Sequence, residues 1–343
     1  MNIFETLLNE ITGFFGIDTW VEMFKTGDYS KLRSFDNLFG LVGPVLPLLI
    51  VIEFISAVRK KTFKLAHYKN TMLIYAMNRV IDRFISIAMF AFCVGFFKPF
   101  AVLTTTFTWY WFIYGYIVWE LAHFVYHFLG HKVRLLWCLH STHHAPTGMN
   151  LTVSFAHFFL EGPYATFIRT SICILLGLNP PMLLLIMSID GAWGGFIHAG
   201  ENLLKDGRLG RLHRYILTPS HHRVHHAKNP LYMDTNFCNL LNIWDRVFKT
   251  HQFELRNEEP VYGITRPIKN DSVWDVYFGE FVLLFRDVAR APGIRNKLLY
   301  LVMPPGWSHD GNHKTAKIAR KEYFEQLELE KKQQEPEHQL VEA

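Results

Sequence analysis

The sequence predicts an all-α integral membrane protein, and three observations carry that expectation. Half of the 343 residues are hydrophobic and only 19% are charged, below the ~25% usual in soluble domains. Long uncharged apolar stretches end in basic or aromatic residues. Histidines gather in the polar segments that follow: 13 of the 18 lie between His123 and His226. A mean hydropathy of +0.10 also requires a substantial polar portion. The net charge of +5 suits the cytoplasmic face of a membrane, and no basic stripe offers a surface for nucleic acid. Cys93, Cys138, Cys173 and Cys238 show neither CxxC nor zinc-ribbon spacing, so no disulfide framework or thiolate metal site is expected.

No cleavable signal is evident at the start of the chain. Ile3, Phe4, Leu7, Leu8, Ile11, Phe14 and Phe15 recur at helical spacing with Glu5, Asn9 and Glu10 opposite. That pattern suits a helix lying in the membrane interface, or an ordinary amphipathic packing helix. Asn37 to Ile52 is uncharged, and its apolar pattern runs past Glu53 to Val58, long enough to span. Arg59, Lys60, Lys61 and Lys64 place its end in the cytoplasm. Phe84 to Phe97 is short for a span unless Tyr75 to Arg83 joins it. Pro99 to Trp119 is uncharged and rich in Trp and Tyr, and is expected to be one span. Thr170 to Ile189 is broken by Gly177-Leu178-Asn179-Pro180-Pro181, which predicts two short helices meeting at a turn. Three or four crossings result, about four transmembrane helices in two hairpins with both ends on one side. A soluble helical protein with a very apolar core is the alternative. Beyond Leu203 the chain is polar and basic, and Val273 to Val302 is again amphipathic. The mixed-charge tail after Lys314 is expected to be solvated.

His123, His127 and His131 stand at i, i+4 and i+8, stacked on one helical face where two can grip the same ion. His140-Ser-Thr-His143-His144 and His222-Arg-Val-His225-His226 repeat an HxxHH spacing, and His198 stands alone between them. Packing gives no reason for such clusters. Buried imidazoles repel one another once protonated, so a cation to share is expected. The HExxH of a zinc peptidase is absent. Eight or more imidazoles exceed one closed zinc site and suit two ions of a metal such as iron, each with an open position for dioxygen.

His127xxxHis131, His140xxHis143His144 and His222xxHis225His226, in that order among apolar spans, resemble the fatty acid hydroxylase/sterol desaturase superfamily. Thr218 to His226, Asp234-Thr-Asn236, Ile243 to Thr250 and Val261 to Pro267 resemble its alkylglycerol monooxygenase branch. The similarity covers Glu120 to Pro267. Phe128 stands where an arginine often follows the first box histidine, and Lys249 where a glycine often closes the Trp-Asp-Arg segment. The resemblance implies an all-histidine di-iron centre under a cytosolic helical cap, opening onto a lipid-facing tunnel. The metal ligands it implies are His127, His131, His140, His143, His144, His198, His222, His225 and His226. His123, His221, His157, Asn150, Asn236, Trp244 and Asp245 are additional or supporting candidates, with ordinary loop hydrogen bonding as the alternative role of the last groups.

The domains expected are an interfacial helix over 1–36, a membrane catalytic domain over 37–270 and an amphipathic, charged helical tail over 271–343. The expected activity is O2-dependent oxidation of a lipid C–H bond, by hydroxylation or by ether-lipid cleavage through a hemiacetal. With no CxxCH haem site and no convincing GxGxxG loop, the electrons must come from outside, from a tetrahydropterin or a cytochrome or ferredoxin donor. The rival enzymes are a sterol C-5-type desaturase and an acyl- or ornithine-lipid hydroxylase. A non-enzymatic membrane metal-binding or transport protein is a third reading, but it calls for ionisable groups in mid-span. The membrane is a bacterial inner membrane or the endoplasmic reticulum, with the histidines on the cytoplasmic side.

Overall fold

A computed structural model describes residues 17–28, 45–269 and 272–341. The predicted interfacial pattern Ile3 to Phe15, the beginning of the first apolar stretch and the 270/271 boundary lie outside the described residues. The described chain is helical, with no strand beyond two isolated bridges, Ile216 to Leu241 and Ala227 to Tyr262. The helices are α1 (Ile17–Thr26), α2 (Val45–Arg59), α3 (Leu65–Phe97), α4 (Trp109–Lys132), α5 (Arg134–His144), α6 (Glu161–Leu175) and α7 (Pro180–Phe196). They continue with α8 (Pro219–His225), α9 (Ile243–Val247), α10 (Val273–Arg290), α11 (Gly293–Val302) and α12 (Ala316–Val341).

Tyr75 to Arg83 does join the run Phe84 to Phe97, in the single 33-residue helix α3. Val80–Phe100 is the one segment among the described residues long and apolar enough to cross a membrane. The expected continuous span from Pro99 to Trp119 is not formed. Lys98–Phe100 is a 3-10 turn, residues 101–108 are not helical, and α4 begins at Trp109. The chain reverses there instead. The Val102 amide donates to the Leu175 carbonyl (2.9 Å) and the Thr105 amide to the Gly177 carbonyl (3.0 Å). The turn's polar backbone is thus satisfied against the α6–α7 connection. That connection falls where the sequence placed it. Gly177 has φ +83° and its α-carbon faces the Leu103 carbonyl so closely that a Cβ would lie 2.2 Å from the oxygen. Asn179 caps α7 by accepting from the Met182 amide, with Pro180 and Pro181 in its first turn.

The helices interleave. α6 lies between α3 and α4: Cys93 of α3 meets the Phe167 carbonyl of α6, and Asn78 of α3 donates to the His157 carbonyl just before α6. α4 runs antiparallel to α6, with Tyr114 reaching the Leu176 carbonyl and Tyr126 the Glu161 carboxylate. Trp119, Ala122, Ile174, Met182, Leu183 and Ile186 form the core between α4, α6 and α7. Burying such a side chain contributes roughly 1.5–3 kcal/mol. α10 and α11 pack on α5 through Leu284, Ala291 and Tyr300 against Cys138.

Candidate metal centre

The end of α4, the end of α7 and the short helices α5 and α8 bring the nine histidines together. His127 and His131 come from the last turns of α4, His198 from just beyond α7, and the two HxxHH clusters from α5 and α8. Thr218 starts α8 with a capping box closed by His221, and Pro219 fills the first helical position. The ligand atoms of His127, His131, His140, His144 and His225 lie within 4.8 Å of one another, and so do those of His143, His198, His222 and His226. The i, i+4 pair of α5 joins the first group while His143 joins the second. In α8 the i, i+4 pair joins the second group while His225 joins the first. Each HxxHH cluster therefore contributes to both.

The hydrogen bonding shows what the groups are built for. The Nδ1 of His127 faces the Phe237 carbonyl (2.9 Å), that of His225 the Thr235 carbonyl (2.7 Å) and that of His198 the Gly194 carbonyl (2.6 Å). His140 Nδ1 faces Glu161 Oε1 (2.5 Å). Each such Nδ1 is the protonated nitrogen, because its partner can only accept. The Nε2 atoms then carry lone pairs. Yet His127 Nε2 and His140 Nε2, both with the proton on Nδ1, face each other at 3.1 Å. His144 Nε2 also lies 3.1 Å from His140 Nε2, and His222 Nε2 2.9 Å from His198 Nε2. Lone pairs do not converge without a cation, and imidazoles that donate through their other nitrogen are how proteins hold metals. His131 Nε2 and His225 Nε2 are buried without a hydrogen-bond partner, again facing the group. The donor set fits two metal ions.

Burial first, and then the neighbouring imidazoles, hold His143, His144, His222 and His226 well below the ordinary histidine range. Burial, with His157 adding, takes His198 down to about 3 against the Gly194 hydrogen bond. Burial pushes His131 down to about 4, opposed by Asp234. These rings are neutral ligands at pH 7. Asp234, pushed up by burial, is held below its usual value by His131 and Lys132.

The supporting candidates divide. His157 stacks on His143 at 4.4 Å and pairs with Glu161 at 2.9 Å. His123 belongs to neither group. It faces Asp190 at 3.6 Å, one turn up α4 from His127. His221 closes the α8 cap and packs beside His251. Asn236, with φ +57°, donates to the carbonyls of His221 and Gln252. Asp245 accepts from the amides of Phe237 and Cys238, and so fixes the carbonyl that orients His127. Trp244 anchors α9 to the Ile117 carbonyl. Asn150 caps the 3-10 turn Leu151–Phe155 and touches no box histidine.

Sequence reading missed Glu161 and, as a partner of His131, Asp234. It also missed Glu120, whose carboxylate accepts the amides of Asn239, Leu240 and Leu241 at 2.8–3.0 Å. Removing Glu120 would leave three buried donors, each costing about 1–3 kcal/mol. The available signal was a lone acid inside an apolar stretch, which is costly unless paired.

A cavity of about 300 Å³ touches His127 and His140 of one group and His143, His198 and His222 of the other. Gly191, Gly194 and Gly195 of α7 also line it, with apolar Leu46, Phe155 and Ala165 and polar His123, Asp190 and Arg169.

Comparison with known proteins agrees with this arrangement. Residues 112–250 match the family model for fatty acid hydroxylase. Alkylglycerol monooxygenase of Danio rerio is 32% identical over 189 residues, covering 55% of this chain and 41% of that protein. The Homo sapiens alkylglycerol monooxygenase is 31% identical over 188 residues, covering 55% and 40%. Ornithine lipid hydroxylase OlsE of Rhizobium tropici is 27% identical over 154 residues, 45% of each chain. The chain thus spans about two fifths of the length of the alkylglycerol monooxygenases it matches. No solved structure matches. The histidine groups and this kinship together fit non-haem iron. Residues 112–250 thus resemble the fatty acid hydroxylase family, and the chain is similar to the alkylglycerol monooxygenases over 55% of its length.

Proposed function

We propose that the protein is a membrane-bound di-iron oxygenase that hydroxylates a C–H bond of a lipid, the carbon beside an ether oxygen being the first candidate. The nine histidines of the two groups would hold the ions. The observation that carries this reading is the single cavity walled by imidazoles of both groups. When bound, a pair of iron ions supplies the oxidation of an unactivated C–H bond by dioxygen, which side chains alone cannot perform. The chain's own contribution is placement. Gly191 of α7, with open space where a Cβ would stand, leaves room for a chain, Leu46, Phe155 and Ala165 offer it apolar contact, and burial of the histidines keeps bulk water out. Hydroxylation beside an ether oxygen gives a hemiacetal, which collapses to an aldehyde and an alcohol. Electrons come from an external tetrahydropterin or from a cytochrome or ferredoxin partner.

The two hairpins and α2 are embedded in a membrane in this reading. Leu48, Val51, Phe84, Ile87 and Trp109 point outward, Phe84 at 73% exposure, an apolar exterior suited to lipid contact. Lys60, from the basic cluster after α2, donates to the Asn202 carbonyl close beyond His198. The basic cluster thus lies near the histidines, which supports a cytoplasmic placement of that end by the positive-inside rule.

The test is lipid mass spectrometry of host membranes expressing the wild type or His143→Ala, fed an alkylglycerol and a reduced pterin. Loss of the ether lipid with gain of a fatty aldehyde, in the wild type alone, is the expected result. Survival of the ether lipid while an acyl or ornithine lipid gains one oxygen would move the assignment to that hydroxylase class. A lipid losing two hydrogens would move it to the desaturases. Wild-type protein that retains no iron after anaerobic loading would overturn the reading.

A further inference from the structure

Away from the metal centre an apolar groove of about 1020 Å³ lies between α4, Ile189 of α7 and the segments 214–215 and 240–246. It shares no lining residue with the metal cavity. Phe112, Ile113 and Ile117 of α4 and Leu241 line its length, and Arg214 and Arg246 stand in its wall. No Asp or Glu lines it. Arg246 is fixed in place: its Nε donates to Asn242 Oδ1 (3.0 Å) and its Nη2 to the Arg214 carbonyl (2.5 Å). A guanidinium has five N–H donors, so the remaining fork stays available in a set orientation. Tyr215, Leu212, Ile243 and Val247 are exposed on the same two segments, Tyr215 at 72%. Cations interleaved with outward apolar side chains are the pattern of a polypeptide at a lipid headgroup layer.

We propose that this groove binds an anionic phospholipid, its phosphate held by Arg214 and Arg246 and an acyl chain lying along Phe112, Ile113 and Ile117. The charge selects the head: two guanidinia with no acid beside them favour a phosphate, which they grip as a planar fork grips oxygens. The apolar lining selects a lipid over a soluble anion. The site stands apart from the oxidation chemistry and does not depend on which lipid is oxidised.

The experiment uses metal-loaded protein purified in detergent and equilibrated with equal amounts of phosphatidylglycerol and phosphatidylcholine of identical chains. Retained lipid is counted by native mass spectrometry. The expected result is phosphatidylglycerol retained over phosphatidylcholine by about fivefold or more. Arg214→Gln with Arg246→Gln abolishes that preference, and metal content is unchanged. Ile117→Trp, which fills the groove while keeping both arginines, lowers retention of the anionic lipid as well. Equal retention of the two lipids by the wild type overturns the proposal, as does a persisting preference in the double variant. Full displacement by glycerol 3-phosphate, which carries the head without chains, also overturns it, leaving only a surface anion patch.

Discussion

The two histidine groups differ in what stands behind them. The five-histidine group is backed by carboxylates, with Glu161 on His140 at 2.5 Å and Asp234 near His131 at 3.4 Å. The four-histidine group is backed differently: a backbone carbonyl of α7 orients His198, and the ring of His157, itself paired with Glu161, stacks on His143. A carboxylate behind an imidazole raises its basicity and offsets the charge of a bound cation; a carbonyl fixes its direction with less charge. The comparison teaches that two sites of similar donor type need not hold their ions equally. The five-histidine site should be the tighter, and the four-histidine site, which forms more of the glycine side of the cavity, the more labile.

The largest effects should come from the donors themselves. His144→Ala and His222→Ala should each remove one of two bound iron equivalents and lower turnover more than about 100-fold, beyond the range of changes outside the donor set. Iron analysis beside single-turnover lipid oxidation checks this, and two equivalents retained in either variant would break the division into groups. Next, Glu161→Gln should weaken one ion by about 10–100-fold and leave the other in place, read by competition with a chromogenic chelator. Asp234→Asn should cost about tenfold at most, because its carboxylate is shared with Lys132 and stands farther from its imidazole. A chelator titrated into the wild type should remove the metal in two steps, and loss of both ions in a single step would erase the asymmetry. Smallest of all, Gly194→Ala places a Cβ 3.1 Å from the Asn239 amide oxygen. It should shift activity only about two- to threefold while leaving iron content intact, since one side-chain amide can yield a few tenths of an ångström.

The clusters were legible in the sequence because i, i+3 and i+4 share a helical face wherever the helix lies. Local spacing could not reveal that each cluster is divided between two histidine groups, since that follows from how α5 and α8 are placed. Glu161 and Asp234 were overlooked for a related reason: their imidazoles are 21 and 103 residues away in the chain, and only the fold closes those distances. The break at Gly177 to Pro181 could be read because glycine and proline act on their own backbone. The turn at 101–108 could not, since an uncharged turn satisfied by another helix's carbonyls has the composition of a span. His123 shows the limit of periodicity: one turn too far along α4, the same face meets Asp190 instead of the cage.

The placement of the last cluster also bears on how the protein is made. His225 completes one group and His226 the other. Four of the five histidines of the first group, His127, His131, His140 and His144, are already made by residue 144, whereas His143 alone of the second group precedes His198. Order of synthesis therefore sets the first group ahead of the second, and the stretch 218–226 closes both.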